Sequence, residues 1–264
     1  GRRRVCVANT NSLRVKQRRG YTMKKFLSIA LALLMVCVML PVVALAAEKT
    51  ASTYEELKSA ISTANDGDTI KLLADIDLSQ TITVNKTITL NMNGKKLYNT
   101  SDLWDTPTAE ADNWSLISVR GSGNLTITGN GTFAAKENDC YAVDVQESAT
   151  VTIKNGTFIG HIHAVYVFAG TANVEGGTYS VQQKYPDPAK GDEFVLNCYD
   201  ANRANGTARI NVTGGTFKNF NPADNKAEGE GNNFADNSLV VQKNNTVQNN
   251  DYYVGNAANE VIAA

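Results

Sequence analysis

Histidine and cysteine are scarce in this chain, and their scarcity limits the chemistry that can be assigned to it. Two histidines, His161 and His163, stand one residue apart in a chain of 264 residues. Of the four cysteines, only Cys140 and Cys198 lie beyond residue 46. Two cysteines in so long a segment cannot form a disulfide framework, which excludes the class of small secreted domains that disulfides hold together.

Long apolar runs are also missing, with one exception near the N-terminus. A basic start at 23–25 is followed by an apolar run over 26–39 and then by small residues. This order is typical of a secretory signal peptide, and the run is short for a membrane span. We therefore assign residues 23–46 to a signal peptide that is cleaved after Ala46 or Ala47. The mature protein is then secreted or held at the cell surface, with no membrane span.

Residues 1–22 precede this start and are rich in arginine. The string "QRRGYT" directly before Met23 is compatible with a purine-rich ribosome-binding site in the gene, because arginine and glycine have purine-rich codons. We interpret residues 1–22 as a translated leader that is not part of the native protein. The alternative is a basic disordered arm that binds nucleic acid.

Basic charge is lacking once these N-terminal segments are removed. Residues 1–46 hold nine of the 25 basic residues and none of the 26 acidic ones, which leaves a net charge of −10. Nucleic-acid binding needs a basic surface to neutralise phosphates, so we exclude nucleic acid as a partner. An acidic surface suits an extracellular protein and leaves cation binding open.

Four segments of the remaining chain repeat one pattern. Each has a short alternating strand, a Gly/Asn/Ser turn, a second alternating strand and then Gly-Thr-aromatic. The segments are 116–133, 140–158, 162–179 and 194–217, and they end at Phe133, Phe158, Tyr179 and Phe217. Weaker copies precede them, and "NSLVVQ" at 237–242 is a further strand-like piece. Periodic copies of this length indicate a stacked repeat architecture.

The alternation within each copy predicts which side chains face inward. Strands of four to six residues that alternate apolar and polar residues have one buried face and one wet face. The inward set is Val151, Ile153, Val174, Ile210 and Val212. The outward ladder is Thr126, Thr152, Asn173 and Asn211. A single copy cannot bury its apolar face alone, so the copies must stack.

A helix precedes the repeats. Ser52 and Glu55 have capping-box spacing, and apolar residues recur after them at helical intervals. We predict an amphipathic capping helix within 47–66, which covers the strand edges of the first copy. The repeats then span 67–245, and 246–264 is a C-terminal tail or the start of a further module.

The runs "YEELKSAISTANDGDTIKLLADI", "ITLNMNGKKL" and "GNLTITGNGTF" together resemble the right-handed parallel β-helix domains of the pectate-lyase-like superfamily. They are most similar to adhesin-like modules of bacterial cell-surface proteins. The resemblance covers about residues 50–245. It implies an all-β right-handed parallel β-helix, a solenoid with an N-terminal capping helix. It does not imply an activity, because this scaffold carries lyases, hydrolases and non-catalytic modules alike.

The histidine pair is a weak metal motif. A catalytic zinc site needs three protein ligands, and no third ligand follows from the sequence. We therefore assign no metal site and expect His161 and His163 to lie in a polar outer ladder or a turn. Cys140 and Cys198 fall two copies apart, about 9–10 Å by strand spacing, which is too far for a disulfide. They are predicted to be free, mostly buried thiols.

A lyase of the resembled superfamily would have clustered aspartates for calcium and an Arg or Lys base. Arg120, Arg203 and Arg209 are available here with Asp144 and Asp200, but no aspartate pair recurs in register. Hydrolases of the retaining or inverting type need two facing carboxylates, which the alignment does not offer. The best polar column is Asp144, Tyr166 and Asn197. We assign no catalytic residues.

The strongest candidate for ligand binding is an insertion at 98–114 that carries both tryptophans. Trp104 and Trp114 lie close in sequence to Asp102 and Asp105, and a second insertion at 182–193 adds Tyr185. Exposed aromatic rings stack on the apolar faces of sugars, and carboxylates bind hydroxyls or calcium. We predict a glycan-binding site from these residues and Tyr166. The alternative is that the rings fold back on the repeats as a satellite core.

These observations lead to one expectation and two alternatives. The expectation is a secreted or surface-displayed monomeric rod that contacts an extracellular glycan or another cell-surface polymer without catalysis. It needs no cofactor, although calcium can bind its acidic loop. The first alternative is a polysaccharide lyase or glycoside hydrolase on the same scaffold. The second is a structural stalk of a larger surface protein.

Overall fold

The repeated segments fold as short strands joined by tight turns, because alternating apolar residues and turn-forming Asn-Gly or Gly-Gly pairs follow one another along the chain. The structure, a computed structural model, describes residues 46–104, 114–184, 194–225, 233–243 and 250–263, together with Lys25. They form a mostly β fold with long parallel sheets. This confirms the all-β class and is compatible with a β-helix. The predicted leader, and the predicted signal peptide apart from Lys25 and Ala46, lie outside the described residues.

The first sheet has seven described strands, and all its ladders are parallel. In spatial order they are β1 (Glu48–Ala51), β2 (Thr69–Leu72), β5 (Thr87–Asn91), β8 (Asn124–Thr128), β11 (Thr150–Ile153), β14 (Gly170–Val174) and β17 (Ala208–Val212).

The second sheet has five described strands, again all parallel. They are β4 (Ile82–Val84), β7 (Ser115–Val119), β10 (Tyr141–Val145), β13 (Val165–Val167) and β16 (Leu196–Cys198).

The third sheet has eight described strands, of which six run parallel. The parallel ones are β3 (Ile76–Asp77), β6 (Lys96–Tyr98), β9 (Thr132–Ala134), β12 (Thr157–Gly160), β15 (Thr178–Val181) and β18 (Gly215–Lys218). From β2 to β18, consecutive strands enter the seven-, eight- and five-stranded sheets in that fixed order. Each repeat therefore adds one strand to every sheet.

The interior is a continuous apolar core between the sheets. All five residues predicted to face inward are at most 5% exposed. The predicted outward ladder is also confirmed, because Thr126, Thr152, Asn173 and Asn211 are paired in register on consecutive strands of the seven-stranded sheet. The Asn211 amide donates to Asn173 Oδ1 at 3.0 Å and extends this ladder by a side-chain hydrogen bond.

The aromatic residues that end the repeats form a stacked column in this core. Phe133, Phe158, Tyr179 and Phe217 are paired in register and completely buried. Successive ring centroids lie 4.8, 5.2 and 5.0 Å apart, with interplanar angles of 13°, 10° and 10°. The Tyr179 hydroxyl donates to the Gly176 carbonyl at 2.6 Å, so its polar atom is satisfied. The predicted alignment of these four repeats is confirmed.

The predicted capping helix is present as α1 (Tyr54–Ser62), but its cap differs from the prediction. Thr53, not Ser52, is the N-cap, and its hydroxyl accepts from the Glu56 amide at 3.2 Å. Glu56 in turn accepts from the Ser52 amide at 2.7 Å. The predicted Ser52–Glu55 box is therefore wrong by one residue, because β1 occupies the chain up to Ala51 and delays the helix start.

The C-terminal residues add to the eight-stranded sheet in the opposite direction. A short 3₁₀ helix (Asn237–Leu239) leads into β19 (Val240–Lys243), and β20 (Asp251–Val254) follows. β20 pairs antiparallel with both β18 and β19. A short helix, α2 (Asp200–Ala204), precedes β17, and the last described element is α3 (Asn256–Ala263). The third sheet therefore continues past residue 245.

The two cysteines are free and buried, as predicted. Burial raises the pKa of the Cys198 thiol to about 12. Burial, with the nearby Asp139 carboxylate, also raises the pKa of Cys140. Both thiols therefore behave as apolar core groups at neutral pH.

Candidate functional site

A row of polar side chains crosses the five-stranded sheet on the face opposite its Val119–Val145–Val167 core stripe. The register places Thr83, Ser118, Asp144, Tyr166 and Asn197 opposite one another on the five strands. Adjacent members are therefore separated by one strand spacing, about 4.8 Å. The predicted column of Asp144, Tyr166 and Asn197 is confirmed, and Ser118 extends it.

Parts of this face are covered, which the alternation did not predict, whereas Thr83 is exposed and Tyr166 is half-buried. All residues of β7 and β10 are buried, including Ser118 and Asp144 at 0% exposure. β16 is likewise buried throughout, so the prediction that one face of every strand is wet is wrong for these three strands. A polar row in such a setting must be held by hydrogen bonds rather than by solvent.

Asp144 is the buried acidic side chain of the row, and hydrogen-bond donors surround it. The Ser118 hydroxyl donates to Asp144 Oδ2 at 3.1 Å. The Gln146 amide donates to both carboxylate oxygens, at 2.8 and 3.0 Å. Arg120 Nε donates to the Ser118 hydroxyl oxygen at 2.9 Å, which brings a positive charge next to the carboxylate. The carboxylate is therefore fixed in orientation, as a binding group requires.

Aromatic rings gather where β7, β10 and β13 begin. Trp104 and Trp114 meet edge to face with centroids 4.4 Å apart, and Trp104 lies 5.2 Å from Tyr141. Tyr141 lies 4.4 Å from His163 and 5.3 Å from Tyr166. Both tryptophans remain partly exposed. The two tryptophans thus lie against the sheet as the satellite-core alternative expects, while their rings still present area to solvent.

Asp139 holds Trp104 in this position. Its carboxylate accepts from the backbone amides of Leu103 at 3.0 Å and of Trp104 at 2.9 Å. The Asn99 side-chain amide donates to the same carboxylate at 2.6 Å. Asp139 is only 4% exposed, so these bonds are sheltered from water. The sequence offered no signal for this contact, because 35 residues separate Asp139 from Trp104.

His163 belongs to the ring cluster and not to a metal site. It lies between β12 and β13 and is 4% exposed, so the predicted polar outer ladder is wrong for it and the turn alternative holds. Its ring stacks on Tyr166 with centroids 5.0 Å apart. Nδ1 lies 2.8 Å from the Phe194 carbonyl, which can only accept, so Nδ1 carries the proton. Burial lowers the pKa of His163 to about 4.

His161 is half-buried in the same turn, where its Nδ1 accepts from the Asn138 amide at 3.1 Å. The histidine pair is therefore divided between two environments. Among the described residues, no group of three or more His, Cys, Asp or Glu side chains is close enough to hold a metal ion.

An exposed aromatic pair lies at the other end of the polar row, and sequence reasoning missed it. Phe168 and Tyr199 stack with centroids 4.9 Å apart at 27°, and each is 40% exposed. They follow Val167 and Cys198, which are paired in register, so the two rings share one face with Tyr166 and Asn197. The available signal was the aromatic residue two positions after each row member.

The other predicted ligand-binding residues are distributed differently. Asp102 is an exposed partner of Lys136, with a separation of 2.5 Å between Nζ and Oδ1. Asp102 lies two residues before Trp104 in sequence, and its hydrogen bond raises the pKa of Lys136. Asp105 and Tyr185 lie outside the described residues. The structure therefore brings together Trp104, Trp114 and Tyr166 of the predicted set, through Tyr141 and His163.

A separate groove of about 530 Å³ runs over the glycine corners that precede the aromatic column. Its floor includes Gly156, Gly177 and Gly215, which all have positive φ, and Glu175 and Glu260 border it. A Cβ on Gly177 would approach the Gly156 carbonyl oxygen at 2.9 Å and the Tyr179 hydroxyl at 3.1 Å. Close packing of the corners therefore explains these glycines without a ligand.

The five-stranded sheet carries partly exposed rings in two places and the half-buried Gln146 amide, an arrangement that suits a polar molecule with apolar faces. Within the described ranges, no helix combines the length and the apolar character that crossing a membrane requires. Comparison with protein-family models, with curated proteins and with solved structures finds no significant match.

Proposed function

We propose that this chain is a right-handed parallel β-helix of the pectate-lyase-like superfamily that acts outside the cell as a non-catalytic carbohydrate-contact module, in the manner of bacterial adhesin-like modules. The fixed order in which the strands enter three parallel sheets supports the β-helix. The apolar run before residue 47 supports export to the medium or the cell surface, and we propose that the exported protein is a monomeric rod.

The observation that carries the proposal is the combination of rings and fixed polar groups on one sheet face. A saccharide ring offers an apolar face to an aromatic side chain and hydroxyls to polar neighbours. Trp104, Trp114 and the Phe168–Tyr199 pair supply partly exposed rings at the two ends. Gln146 lies between them, half-buried, with its side-chain amide oriented by two hydrogen bonds to the buried Asp144. An extended glycan laid across the strands would meet both.

The charge of the mature chain favours this ligand class over nucleic acid. With a net charge of −10 beyond residue 46, the protein repels phosphate backbones. Neutral glycans are not repelled by this negative charge, so we expect them to be the preferred class of ligand. The proposal needs no cofactor. Calcium would contribute only to the binding of acidic glycans, where the cation would bridge a carboxylate of the acidic insertion and an acidic group of the glycan.

A glycan array tests the proposal with four proteins. The wild type is compared with a Trp104→Ala/Trp114→Ala double variant and with a Phe168→Ala/Tyr199→Ala double variant. Tyr98→Ala is the matched control, because Tyr98 is a partly exposed aromatic of the eight-stranded sheet. We expect binding by the wild type and the control and weaker binding by at least one double variant. Circular dichroism confirms that each variant is folded.

Catalysis is the second candidate, and Arg120 favours it. The Arg120 guanidinium and the Asp144 carboxylate are joined through Ser118 on one face, which the sequence alignment did not bring out. A lyase or hydrolase would release new reducing ends or unsaturated products from a polysaccharide, and Asp144→Asn would abolish that release. Turnover of any acidic polysaccharide by the wild type would overturn the non-catalytic proposal.

The same glycan array distinguishes a structural stalk from a carbohydrate-contact module and from an enzyme. A chain that binds no glycan and turns none over, while remaining folded, is a spacer of a larger surface protein. Export itself is tested by N-terminal sequencing of the protein from the medium or the cell surface, which should begin at Ala47 or Glu48. A product that begins at Gly1 would contradict both the leader and the signal peptide.

A further inference from the structure

The backbone nitrogen of Ala47 donates a hydrogen bond to Asp68 Oδ1 at 2.8 Å. Ala47 stands at the predicted cleavage site of the signal peptide, and Asp68 directly precedes β2. The two residues are 21 positions apart, so the bond ties the beginning of the repeat region to its first turn.

Asp68 is a buried and oriented acceptor. The residue is 2% exposed, and its second carboxylate oxygen, Oδ2, accepts from the Asn65 amide at 3.0 Å. The hydrogen bonds from the Ala47 and Asn65 amides lower the pKa of Asp68. Its side chain is therefore a carboxylate at neutral pH, held in one orientation by two backbone donors.

Strand pairing fixes Ala47 independently of Asp68. The Ala47 carbonyl accepts from the Thr69 amide at 2.8 Å. The chain then continues as β1, in which Glu48 is paired with Thr69 in parallel register. The position of the Ala47 nitrogen therefore follows from contacts made by Ala47 and the residues after it.

The other charged groups near this bond have partners of their own. Lys49 Nζ donates to the Thr63 hydroxyl at 3.3 Å. Lys86 Nζ donates to two backbone carbonyls just after α1, each at 2.6 Å. Both lysines favour the ionised form of Asp68 at longer range. Glu48 is exposed. The donors that contact the Asp68 carboxylate are thus backbone nitrogens.

We propose that the signal peptide is cleaved between Ala46 and Ala47, and that the new α-ammonium group of Ala47 forms an ion pair with Asp68. This inference rests on the proposed export. The exporting cell's signal peptidase would hydrolyse the peptide bond with one water molecule, which leaves a carboxylate on Ala46 and an amine on Ala47. The amine is mostly protonated at neutral pH.

Cleavage thereby changes the charge of the donor and not its place. The uncleaved chain presents a neutral amide 2.8 Å from the carboxylate, and the mature chain presents a cation at the same atom. A hydrogen bond between two charged groups is stronger than one with a neutral partner. Maturation therefore tightens the attachment of β1 to the first repeat.

Cleavage one residue later fits the folded chain less well. A product that begins at Glu48 lacks both the nitrogen that bonds to Asp68 and the carbonyl that bonds to Thr69. The buried Asp68 carboxylate would then lose one of its two backbone donors. Losing a donor to a buried carboxylate is costly because water cannot replace it.

The sequence before the bond favours the same choice. A signal-peptide cleavage site has small residues in an A-x-A pattern. Cleavage after Ala46 uses Ala44 and Ala46 as these two residues. Cleavage after Ala47 would place the larger Leu45 at the first of the two positions.

Mass spectrometry of the protein exported by a bacterial host tests the cleavage site. The full gene is expressed from Met23, and the exported protein should begin at Ala47. A start at Glu48 would overturn the assigned site while leaving export intact. A chain that keeps residues 23–46 would reject the proposed export and this inference with it.

Acetylation of the exported protein tests the ion pair. Acetic anhydride at about pH 6.5 modifies the α-amine in preference to lysines, because lysines have a higher pKa. The acetylated nitrogen is again a neutral amide, as in the uncleaved chain. We expect acetylation to lower the melting temperature by about 1–4 °C at this pH.

The effect of acetylation should depend on pH in a defined direction. The ion pair needs the protonated amine, so its stabilisation is complete below the pKa of the unfolded α-amine, about 7.7–8.0. It is lost as the pH rises through the higher pKa that the amine has beside a carboxylate. Acetylated and unmodified protein should therefore melt at the same temperature near pH 10.

Asp68→Asn is the variant that removes the pair, and Asp66→Asn is its matched control. Asparagine still accepts from a backbone amide but carries no charge. In Asp68→Asn, acetylation should no longer lower the melting temperature. Asp66 is exposed and accepts from the Thr87 amide at 3.0 Å, so Asp66→Asn should keep the full effect. Circular dichroism confirms that each variant is folded.

Two results would overturn the ion pair while leaving the cleavage site and export intact. One is an equal melting temperature of acetylated and unmodified wild type at pH 6.5. The other is an equally large effect of acetylation in wild type and in Asp68→Asn. If Asp68→Asn does not fold, the comparison of wild type at the two pH values decides alone.

Discussion

The carboxylate of Asp139 accepts a hydrogen bond from the backbone amide of Trp104 at 2.9 Å, across 35 residues of sequence. The neighbouring Leu103 amide donates to the same carboxylate at 3.0 Å. Because Asp139 is buried, these bonds set the position of one of the two tryptophans in the chain. The arrangement of the ring cluster in the candidate site therefore depends on a residue that is itself buried.

Replacing Asp139 with alanine should release Trp104 and lower stability. The change removes the acceptor of the buried Leu103 amide and of the part-buried Trp104 amide, and one of the two acceptors of the Asn99 amide, at a cost of about 1–3 kcal/mol for each group that water cannot reach. We expect a red shift of the intrinsic tryptophan fluorescence and a lower unfolding midpoint in urea. Asp102→Asn is the control, because its partner Lys136 is at the surface and an exposed ion pair contributes about 0–1 kcal/mol. Equal effects of the two substitutions would contradict the anchoring contact.

His163 should make the protein less stable in mild acid. Burial holds its pKa at about 4, below the value of about 6.5 in the unfolded chain, so the unfolded state binds the proton first as the pH falls. Stability is therefore complete above about pH 6.5, declines between about pH 6.5 and pH 4, and loses about 3 kcal/mol over that window.

The measurement is the free energy of unfolding from urea titrations at several pH values. His163→Phe retains a ring between Tyr141 and Tyr166 but cannot titrate. The difference in stability between wild type and variant should change by about 3 kcal/mol across this window. A difference that is independent of pH would show that His163 is not buried in its neutral form.

The stability of the protein should depend more on ring stacking in the aromatic column than on the single hydrogen bond made there by the Tyr179 hydroxyl. Phe158 stacks between Phe133 and Tyr179, so Phe158→Ala removes two ring contacts and opens a cavity in a completely buried region. We expect a loss of about 3–5 kcal/mol. Tyr179→Phe keeps the stack and loses only the bond to the Gly176 carbonyl, at a cost of about 1 kcal/mol. Thermal unfolding monitored by circular dichroism ranks the two, and a reversed order would contradict the column.

The two thiols should be inert in the native protein. With the pKa of Cys198 raised to about 12 and that of Cys140 also raised, little thiolate exists at pH 8. Alkylation by iodoacetamide should be at least about a thousandfold slower than that of free cysteine, because the thiolate is the nucleophile. Both residues should react fully in guanidinium chloride. Fast labelling of the folded chain, or a disulfide between the two on oxidation, would contradict their burial in separate repeats.

Much of the fold could be predicted from the sequence because its signals are local. The inward position of Val151 and Ile153 follows from period-two alternation, which strand geometry imposes over a few residues. The aromatic column follows from the Gly-Thr-aromatic strings, because similar strings in successive repeats lie one strand spacing apart. The helix cap was misplaced by one residue, since Ser52 and Thr53 have the same capping chemistry and only the length of β1 selects between them.

The candidate site was predictable only in part. Asp144, Tyr166 and Asn197 could be aligned in a column because each occupies the same position in its repeat. Their burial could not be inferred, because alternation says which face a residue occupies and not what covers that face. Phe168 and Tyr199 were missed for a related reason, since each is a single aromatic residue after a strand and only their stacking at 4.9 Å makes them a pair.

The sequence by itself determined the repeat, the inward stripe and the alignment of the aromatic residues that end the repeats, because these depend on alternation within a strand and on turns that glycine and asparagine specify locally. Only the tertiary structure decided the environments of His163, Asp144 and Asn197. Those environments arise from strands and connections that are distant in sequence. Burial removes water from a polar side chain, so the side chain must then be neutral or find a hydrogen-bond partner.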